Sequence, residues 1–479
     1  MRIVLTVHQF LPDFIAGTEV LTYSCAKELL RRGHAVEVWT AFPDERPLKP
    51  SERFDEYLHD GIPVRRYRHS FRTVSETGNL VKAEYENPFF GNHFARYLQE
   101  ARPDLVHFFH LGRLSGSPIA ACREQGVPSV FTATDFWFVC PVNQLRLPDN
   151  SQCLGPDRHR VNCVRHIVHI TRSPRLGGLF RHIPYGLLAT AIRVSAQPWW
   201  PEKKYAPLVQ ALVRRPERLT ARMNEVDRIL VPTAFMQQVM IRYGIAPHRI
   251  RRIPYGLDLS PFENGPPRTD HSRLRIGFVG SLADHKGAHV LIEALRALPE
   301  DLPIEVALYG RLDEAPEYVE RLRRRAAGDE RVRFHGTFSN DRIGQVLAGI
   351  DVLVVPSIWY ENSPLVVYSA QAARIPLVAS DVPGLRESVE HGVNGLLFEM
   401  GNAGALADII RRLAGDRALL ENLRQNAVSP KSIVQYVDEL EALYGELIAD
   451  RREAQARFAA DRGGMAAEQA PIDQTDWNG

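Results

Sequence analysis

The stretch from Val352 to Gly395, VLVVPSIWYENSPLVVYSAQAARIPLVASDVPGLRESVEHGVNG, leaves its chain few ways to fold. Four apolar residues, Val352 to Val355, predict a strand buried on both faces, as in a parallel sheet. Pro356 ends it, so the polar residues that follow stand at the strand's carboxyl end, where open α/β sheets place their ligands. Ser363 suits an N-cap and Pro364 a first helical position, which leaves the backbone NH groups of Leu365 and Val366 free to meet a phosphate oxygen. Glu361 and Asn362 lie just before that helix. A carboxylate beside a phosphate site would be repelled unless it faced something else, and sugar hydroxyls are its natural partners. The plainer reading of the same residues is a capped helix with a solvated glutamate.

The N-terminal half alternates strand and helix. Ile3 to Val7 predicts a strand, Gly17 to Arg32 a helix with Leu21, Cys25 and Leu29 on one stripe, and Gly33 its stop. Further apolar runs from Val36 to Trp39, Asp104 to Phe109, Ser129 to Ala133 and Arg228 to Val231 predict a parallel sheet with crossover helices, and a polar, proline-rich loop follows Trp39. A second series opens after the polar stretch from Glu263 to Arg273, with a strand from Ile276 to Val279, a helix from Ala288 to Leu298 and a strand from Glu305 to Tyr309. The predicted class is α/β: two Rossmann-like, doubly wound parallel-sheet domains facing a cleft. Residues 1–260 form the first domain, with an insertion at about 140–218, and residues 261–430 the second. Residues 431–451 hold a helix, read from Ser432 to Ala449, that crosses back to the first domain, and the polar residues 452–479 read as a disordered tail. No GxGxxG follows either opening strand, which argues against NAD as a ligand.

A chain of 479 residues, 44% hydrophobic, suits two cores better than one, and a formal net charge of +2 does not suit a general nucleic-acid binder. Charge is uneven, however. Between Arg165 and Arg218, ten Lys or Arg stand against two Glu, interleaved with Phe180, Tyr185, Trp199 and Trp200. Such a segment suits an anionic membrane surface, with Trp at headgroup level and cations on lipid phosphate; the alternative is a solvated insertion with its Trp in a core. No run approaches the roughly 18 apolar residues of a membrane span, and MRIVLTVHQF reads as a first strand and not as a signal peptide. Five cysteines, an odd number, then suggest reduced thiols in the cytoplasm, with peripheral contact at the inner face of the membrane. Cys25 and Cys122 read as packed in helices. Cys140, Cys153 and Cys163 fall in a loop-like region with His159 and His166 nearby; three thiols and a histidine could make a structural zinc site, but spacings of twelve and nine intervening residues match no tight ligand pair, and isolated buried or paired thiols are the alternative, so no metal ligand is assigned.

The order apolar strand, Pro-Ser, Glu361, helix, Pro-Leu-Val-Ala-Ser, Pro-Gly and Gly-x-Asn-Gly resembles the donor-binding half of a family 4 retaining glycosyltransferase, a glycosyl transferase group 1 protein of the GT-B fold. The resemblance runs from the first strand to about Leu447. It implies a transferase that moves a sugar from a nucleotide diphosphate donor to an acceptor hydroxyl with retention, giving an α-glycoside, in polysaccharide or glycolipid assembly. In that family two glutamates eight positions apart mark the donor site, the first serving the sugar and the second the ribose. Glu361 matches the first, whereas Ser369 stands at the second. GSLADHKGAHVLIEA, from Gly280 to Ala294, resembles the segment whose arginine and lysine neutralise the leaving diphosphate; Lys286 keeps the lysine and Ser281 replaces the arginine. Gly17 resembles the glycine that lies against the diphosphate. In FTATDFWFVCP, Thr134 and Asp135 stand where the family often has His-Asp, with the histidine reaching the donor sugar; Asp135 is expected to orient the acceptor or the loop. Phe338 lies where the family places the nucleotide base, and IPYGLDLSPF, from Ile253 to Phe262, resembles the interdomain segment.

The combined expectation is that Lys286, Gly17 and the helix start at Ser363, Pro364, Leu365 and Val366 stabilise charge on the diphosphate while Glu361 positions the sugar. No metal or other cofactor is then required, since fixed charges and dipoles replace a divalent cation. The resemblance implies proton transfer to the departing phosphate, so no protein general base is named. Expected partners are a nucleotide-sugar donor, a sugar, lipid-linked or polysaccharide acceptor and an anionic membrane surface, with no nucleic acid. The departures at Ser281, Ser369 and Thr134 would also suit a catalytically silent partner in a polysaccharide-assembly complex. A sugar-nucleotide epimerase or phosphorylase of the same fold would need other catalytic residues, for which no pattern is found.

Overall fold

The computed structural model describes residues 1–467 apart from 45, 47, 70–78, 148, 150, 172–181, 198, 201–205 and 264–271. Its strands form two sheets. The first holds β1 (Arg2–Val7), β2 (Ala35–Pro43), β3 (Phe54–His59), β4 (Ile62–His69), β5 (Leu105–Phe108), β6 (Ser129–Thr132), β7 (Arg228–Val231) and β8 (Ile250–Arg252), in the order β3-β4-β2-β1-β5-β6-β7-β8. The second holds β9 (Leu274–Val279), β10 (Ile304–Tyr309), β11 (Val332–Gly336), β12 (Val352–Val355), β13 (Leu377–Ser380) and β14 (Gly395–Phe398), in the order β11-β10-β9-β12-β13-β14. In both sheets the order reverses beside the first strand of the series, which opens a crevice at the carboxyl ends of the strands. The uncharged runs Ile3 to Val7, Thr6 included, and Val352 to Val355 are buried throughout, as expected of strands covered on both faces by crossover helices.

One neighbour pair departs from the expected all-parallel sheet: β3 runs antiparallel to β4. This hairpin occupies the stretch read as a polar loop after Trp39. Charge hid it, since Asp55 accepts from Arg66 Nε at 2.8 Å and from Arg68 Nε at 2.6 Å, so residues that look solvated pair across the ribbon. The signal that was passed over is Asp60-Gly61, both at positive φ (48° and 81°), a two-residue turn of the kind that joins right-twisted strands.

The final helix runs from Ile433 to Ala467. Tyr436, Val437, Leu440 and Tyr444 enter one core with Leu21, Cys25 and Leu29 of the Gly17–Arg31 helix, so the chain's last helix packs on its first domain. Gly256 permits the crossing, because a Cβ there would come within 2.5 Å of Tyr436 Cβ and 2.8 Å of the Ser432 carbonyl. The disordered tail expected from residue 452 is corrected as far as Ala467: alanine, arginine and glutamate there are strong helix formers that extend an already nucleated helix. Residues 468–479 lie outside the described residues.

His107 shows how closely this packing is tuned. It lies fully buried in β5, with Nδ1 against the Tyr444 hydroxyl and Nε2 2.7 Å from Thr132 Oγ1. Burial pushes it down to about 3. The folded chain therefore keeps His107 neutral where the unfolded chain, with its ordinary value near 6.5, takes up a proton. Stability falls as pH drops below about 6.5 and goes on falling toward 3, and at pH 5 this one group costs about 2 kcal/mol. Thermal melts should show a lower Tm at pH 5 than at pH 7, and a smaller drop in His107→Gln.

The insertion is largely helical, with helices Val161–Thr171, Tyr185–Ser195 and Ala206–Met223. Trp199 is 70% exposed and Trp200 37%, so neither is the core tryptophan of the alternative reading. Arg215 is buried and adds nothing to the surface charge, while Phe180 and the cations Arg172, Arg175, Arg181, Lys203 and Lys204 lie outside the described residues. No described helix is long and apolar enough to cross a membrane.

Candidate active site

The carboxylate of Glu361 is the centre of the cleft's second wall. It follows β12 in a buried loop and is itself only 3% exposed. Its Oε1 accepts from Ser357 Oγ at 2.6 Å, Lys286 Nζ at 2.8 Å and Trp359 Nε1 at 2.9 Å. Lys286 comes from the short turn Asp284–Lys286 after β9, and its Nζ also lies 4.9 Å from the Trp359 ring centroid. The two loops are locked together: Ile358 N donates to His285 O at 2.9 Å, and a Cβ on Gly287, at φ +75°, would fall 1.8 Å from the Pro356 carbonyl oxygen. His285 packs edge-on against Trp359 at 5.1 Å, and burial, with Lys286 and Arg146 nearby, holds it down at about 3. Lys286 and Glu361, chosen separately from the sequence, thus form one ion pair, and Ser357 and Trp359 are partners that the sequence reading missed.

The helix beside them begins later than expected. It spans Leu365–Ala372 with Pro364, in extended backbone, at the N-cap position and no side-chain cap. Ser363 does not cap it because its hydroxyl is shared with that of Tyr368 at 2.6 Å. The NH groups of Leu365 and Val366 still lack intrahelical acceptors by position. Gly17 opens its own helix directly opposite, since a Cβ there would stand 4.0 Å from Leu365 Cγ. Two helix starts therefore face one another across the cleft, each with a partial positive charge.

Two other sequence candidates are already satisfied elsewhere. Ser369 is buried and its hydroxyl donates to the Leu365 carbonyl at 3.1 Å, the usual bond of a mid-helix serine. Asn362 joins the domains instead of facing the cleft: its amide donates to Ala133 O at 2.9 Å and Tyr255 Oη at 3.3 Å, and accepts from Thr233 Oγ1 at 3.1 Å. Glu387 adds to that contact by accepting from the NH groups of Ala234 and Phe235 at 2.7 and 2.8 Å, capping a helix of the first domain. Gly384 holds the Glu361 loop from behind, since a Cβ would lie 1.9 Å from Glu361 O and 2.5 Å from Asn362 O. Gly384→Ala should therefore push the carboxylate off its partners and lower turnover by about 10²-fold. A crystal structure or donor kinetics of that variant would show it.

The first domain contributes a polar cluster at the carboxyl ends of its strands. Asp135 accepts from His110 Nε2 at 2.9 Å and from Trp137 N at 2.8 Å, and Thr134 Oγ1 donates to Phe109 O at 3.1 Å. The His110 ring lies 4.2 Å from that of His8, whose Nε2 is 3.4 Å from the buried Glu19. Burial raises Glu19 and lowers His8. His8 and His110 were legible as the first polar residues after β1 and β5, but nothing in their spacing joined them. Ser281 is half-buried in the loop after β9, and no arginine takes its place in sequence. Arg146 of the first domain instead reaches that loop, with Nη1 3.1 Å from Asp284 Oδ2. Phe338 stands edge-on to Tyr309 at 5.6 Å, half-buried beyond β11.

Residues 15–261, more than half of the chain, match the family model for Glycosyltransferase Family 4, and residues 262–429 match that for Glycosyl transferases group 1. The chain belongs to glycosyltransferase family 4. Relatives of this family 4 chain include a D-inositol 3-phosphate glycosyltransferase of Mycolicibacterium vanbaalenii, 30% identical over 50% of this chain and 58% of that protein. One from Geodermatophilus obscurus is 31% identical over 46% of this chain and 52% of its own. The aligned region thus spans little more than half the length of these curated relatives. Among solved structures, sucrose-phosphate synthase from Thermosynechococcus elongatus covers 94% of this chain and 99% of its own at a TM-score of 0.64 and 20% identity. Anabaena HepE in complex with UDP covers 93% of this chain and 100% of its own at 0.60 and 17%. These likenesses concern the fold alone.

Proposed function

We propose that the chain is a working glycosyltransferase that moves a sugar from a nucleoside diphosphate donor to an acceptor hydroxyl with retention of configuration. The observation that carries this reading is the buried Glu361–Lys286 pair beside the helix start at Leu365. Without donor, each group neutralises the other. A bound diphosphate takes over Lys286, and the Leu365 and Val366 NH groups and the Gly17 backbone add fixed dipoles around it. Glu361, held by Ser357 and Trp359, then turns its free oxygen to sugar hydroxyls. As the sugar–oxygen bond breaks, charge grows on the leaving phosphate, which these groups stabilise without a divalent cation, and the phosphate takes the acceptor proton on the same face. Arg146, paired with Asp284, supplies cationic charge near the position where Ser281 lacks it.

The named relatives support this choice, since they act in glycosyl transfer to D-inositol 3-phosphate by name and HepE holds UDP-glucose in one of its structures. A donor screen with UDP-, GDP- and ADP-sugars, free of metal, tests it by thermal stabilisation and nucleotide release. Selective stabilisation with turnover supports the enzyme. Binding without turnover on any acceptor favours the silent partner, a reading that the inward hydroxyl of Ser369 keeps open.

The acceptor we propose is lipid-linked or a growing polysaccharide, presented at an anionic membrane. Its support is the exposure of Tyr185, Leu187 and the adjacent Trp199 and Trp200 on an insertion rich in cations. Trp199→Ala with Trp200→Ala should reduce sedimentation with anionic liposomes by about tenfold. Unchanged sedimentation would remove the membrane from this proposal.

A further inference from the structure

The insertion contains a second cluster of reactive groups that donor chemistry does not use. Cys140, Cys153, Cys163 and His166 all line one cavity, together with Leu145, Arg146 and Asn162, and about 10 Å³ inside it is open to the centre of a water-sized particle. That is room for one small occupant. The three thiols are free and buried. Cys163 and His166 lie one turn apart in the Val161–Thr171 helix, so they share a face, a pairing that a region read as loop-like does not reveal. Cys153 closes a small hairpin, donating its NH to Leu145 O at 2.8 Å, and Cys140 stands in the turn just before that hairpin, its carbonyl accepting from Asn143 N at 3.0 Å.

A separate observation concerns charge. Arg215 is 1% exposed, and apart from the Trp137 carbonyl its guanidinium is poorly met: Glu84 is 4.0 Å away, and Nε and Nη1 have no hydrogen-bond partner among the described residues. Cys140 and Cys163 lie close enough to act on its charge. As neutral thiols they do little for a buried cation.

We propose that Cys140, Cys153, Cys163 and His166 bind one zinc ion that staples the insertion. On binding, three thiols release their protons to solvent, three sulfur–zinc bonds and one nitrogen–zinc bond form, and no electron is transferred. Three thiolates against one dication leave a single net negative charge beside the buried Arg215, whose carboxylate neighbour Glu84 stands 4.0 Å away. His166, on the same cavity wall as the thiols, would give an imidazole nitrogen as the fourth ligand. Asn162 Nδ2, 3.5 Å from Cys153 Sγ, is placed to donate to a thiolate. Among the described residues no three of these groups are placed to hold an ion as they stand. Protonated thiols have no cause to converge, and metal binding supplies it by drawing the turn, the hairpin and the helix together. The hairpin so fixed carries Arg146, which pairs with Asp284 in the turn that bears Lys286, so the ion would also steady one wall of the cleft.

The test is metal content of the full chain purified without chelator, followed by titration of metal-stripped chain with Co²⁺. One zinc per chain is expected, and Co²⁺ should give thiolate-to-cobalt charge transfer and tetrahedral visible bands that saturate at one equivalent and vanish on adding Zn²⁺. Cys153→Ser and His166→Ala should lose the bound metal or change that spectrum, whereas Cys25→Ser should not. If the variants fail to fold, the wild-type titration decides alone. No co-purified zinc together with no tetrahedral thiolate spectrum overturns the proposal, as does a disulfide between any two of Cys140, Cys153 and Cys163 in freshly purified chain.

Discussion

Glu361→Gln should lower kcat/KM by about 10³-fold with the fold intact, the scale seen when one preorganised electrostatic contact is removed from an active site. The amide matches the carboxylate in shape and can still accept from Ser357 Oγ and Trp359 Nε1, so the loop after β12 keeps two of its bonds. What it loses is the charge that holds Lys286 at 2.8 Å and the second acceptor oxygen for sugar hydroxyls. The loss should fall on kcat more than on donor affinity, because the diphosphate contacts at Lys286, Gly17 and Leu365 remain. Steady-state kinetics with the donor found by screening would check it, with Tm as the control for folding. Turnover within tenfold of wild type would show that Glu361 is only a structural anchor for Trp359.

Lys286→Ala should cost about 10²- to 10³-fold in kcat and also weaken binding of the free nucleoside diphosphate, since the lysine meets the phosphate both before and after the bond breaks. It also leaves Glu361, 3% exposed, without its cation, so Tm should fall by several degrees, consistent with about 1–3 kcal/mol for a buried acceptor deprived of a charged donor. The double variant Glu361→Gln with Lys286→Ala is the more telling measurement. Because the two groups form one pair, its loss should be smaller than the product of the single losses. Strict multiplication would mean that they act on the donor independently and that their contact has no role in turnover.

The features that were readable in the chain are those set by neighbours in sequence. Val352 to Val355 had to be a buried strand because four uncharged branched and apolar residues ending at a proline have few other homes, and this put Glu361 at a strand's carboxyl end. Lys286 and Gly17 rested on the family resemblance, each in a loop that links a strand to a helix start. Ser363 was misjudged as an N-cap because a hydroxyl takes whichever partner the fold brings, here Tyr368. The β3–β4 hairpin was hidden by its own charges, although Asp60-Gly61 announced the turn.

The sequence by itself determined the two α/β halves, the site of the cleft and the residue types at its rim, because strand burial and helix starts depend on periodicity over a few residues. Only the tertiary structure decided which of those residues meet. Lys286 reaches Glu361 because β9 and β12 are neighbours in the sheet and Gly287 and Gly384 let their loops touch. His110 reaches Asp135 because β5 and β6 are neighbours, and Cys140 shares a cavity with His166 because the insertion folds back on itself. Such pairings rest on strand order and on backbone approach within a few ångströms, and neither leaves a mark in the local pattern of the chain.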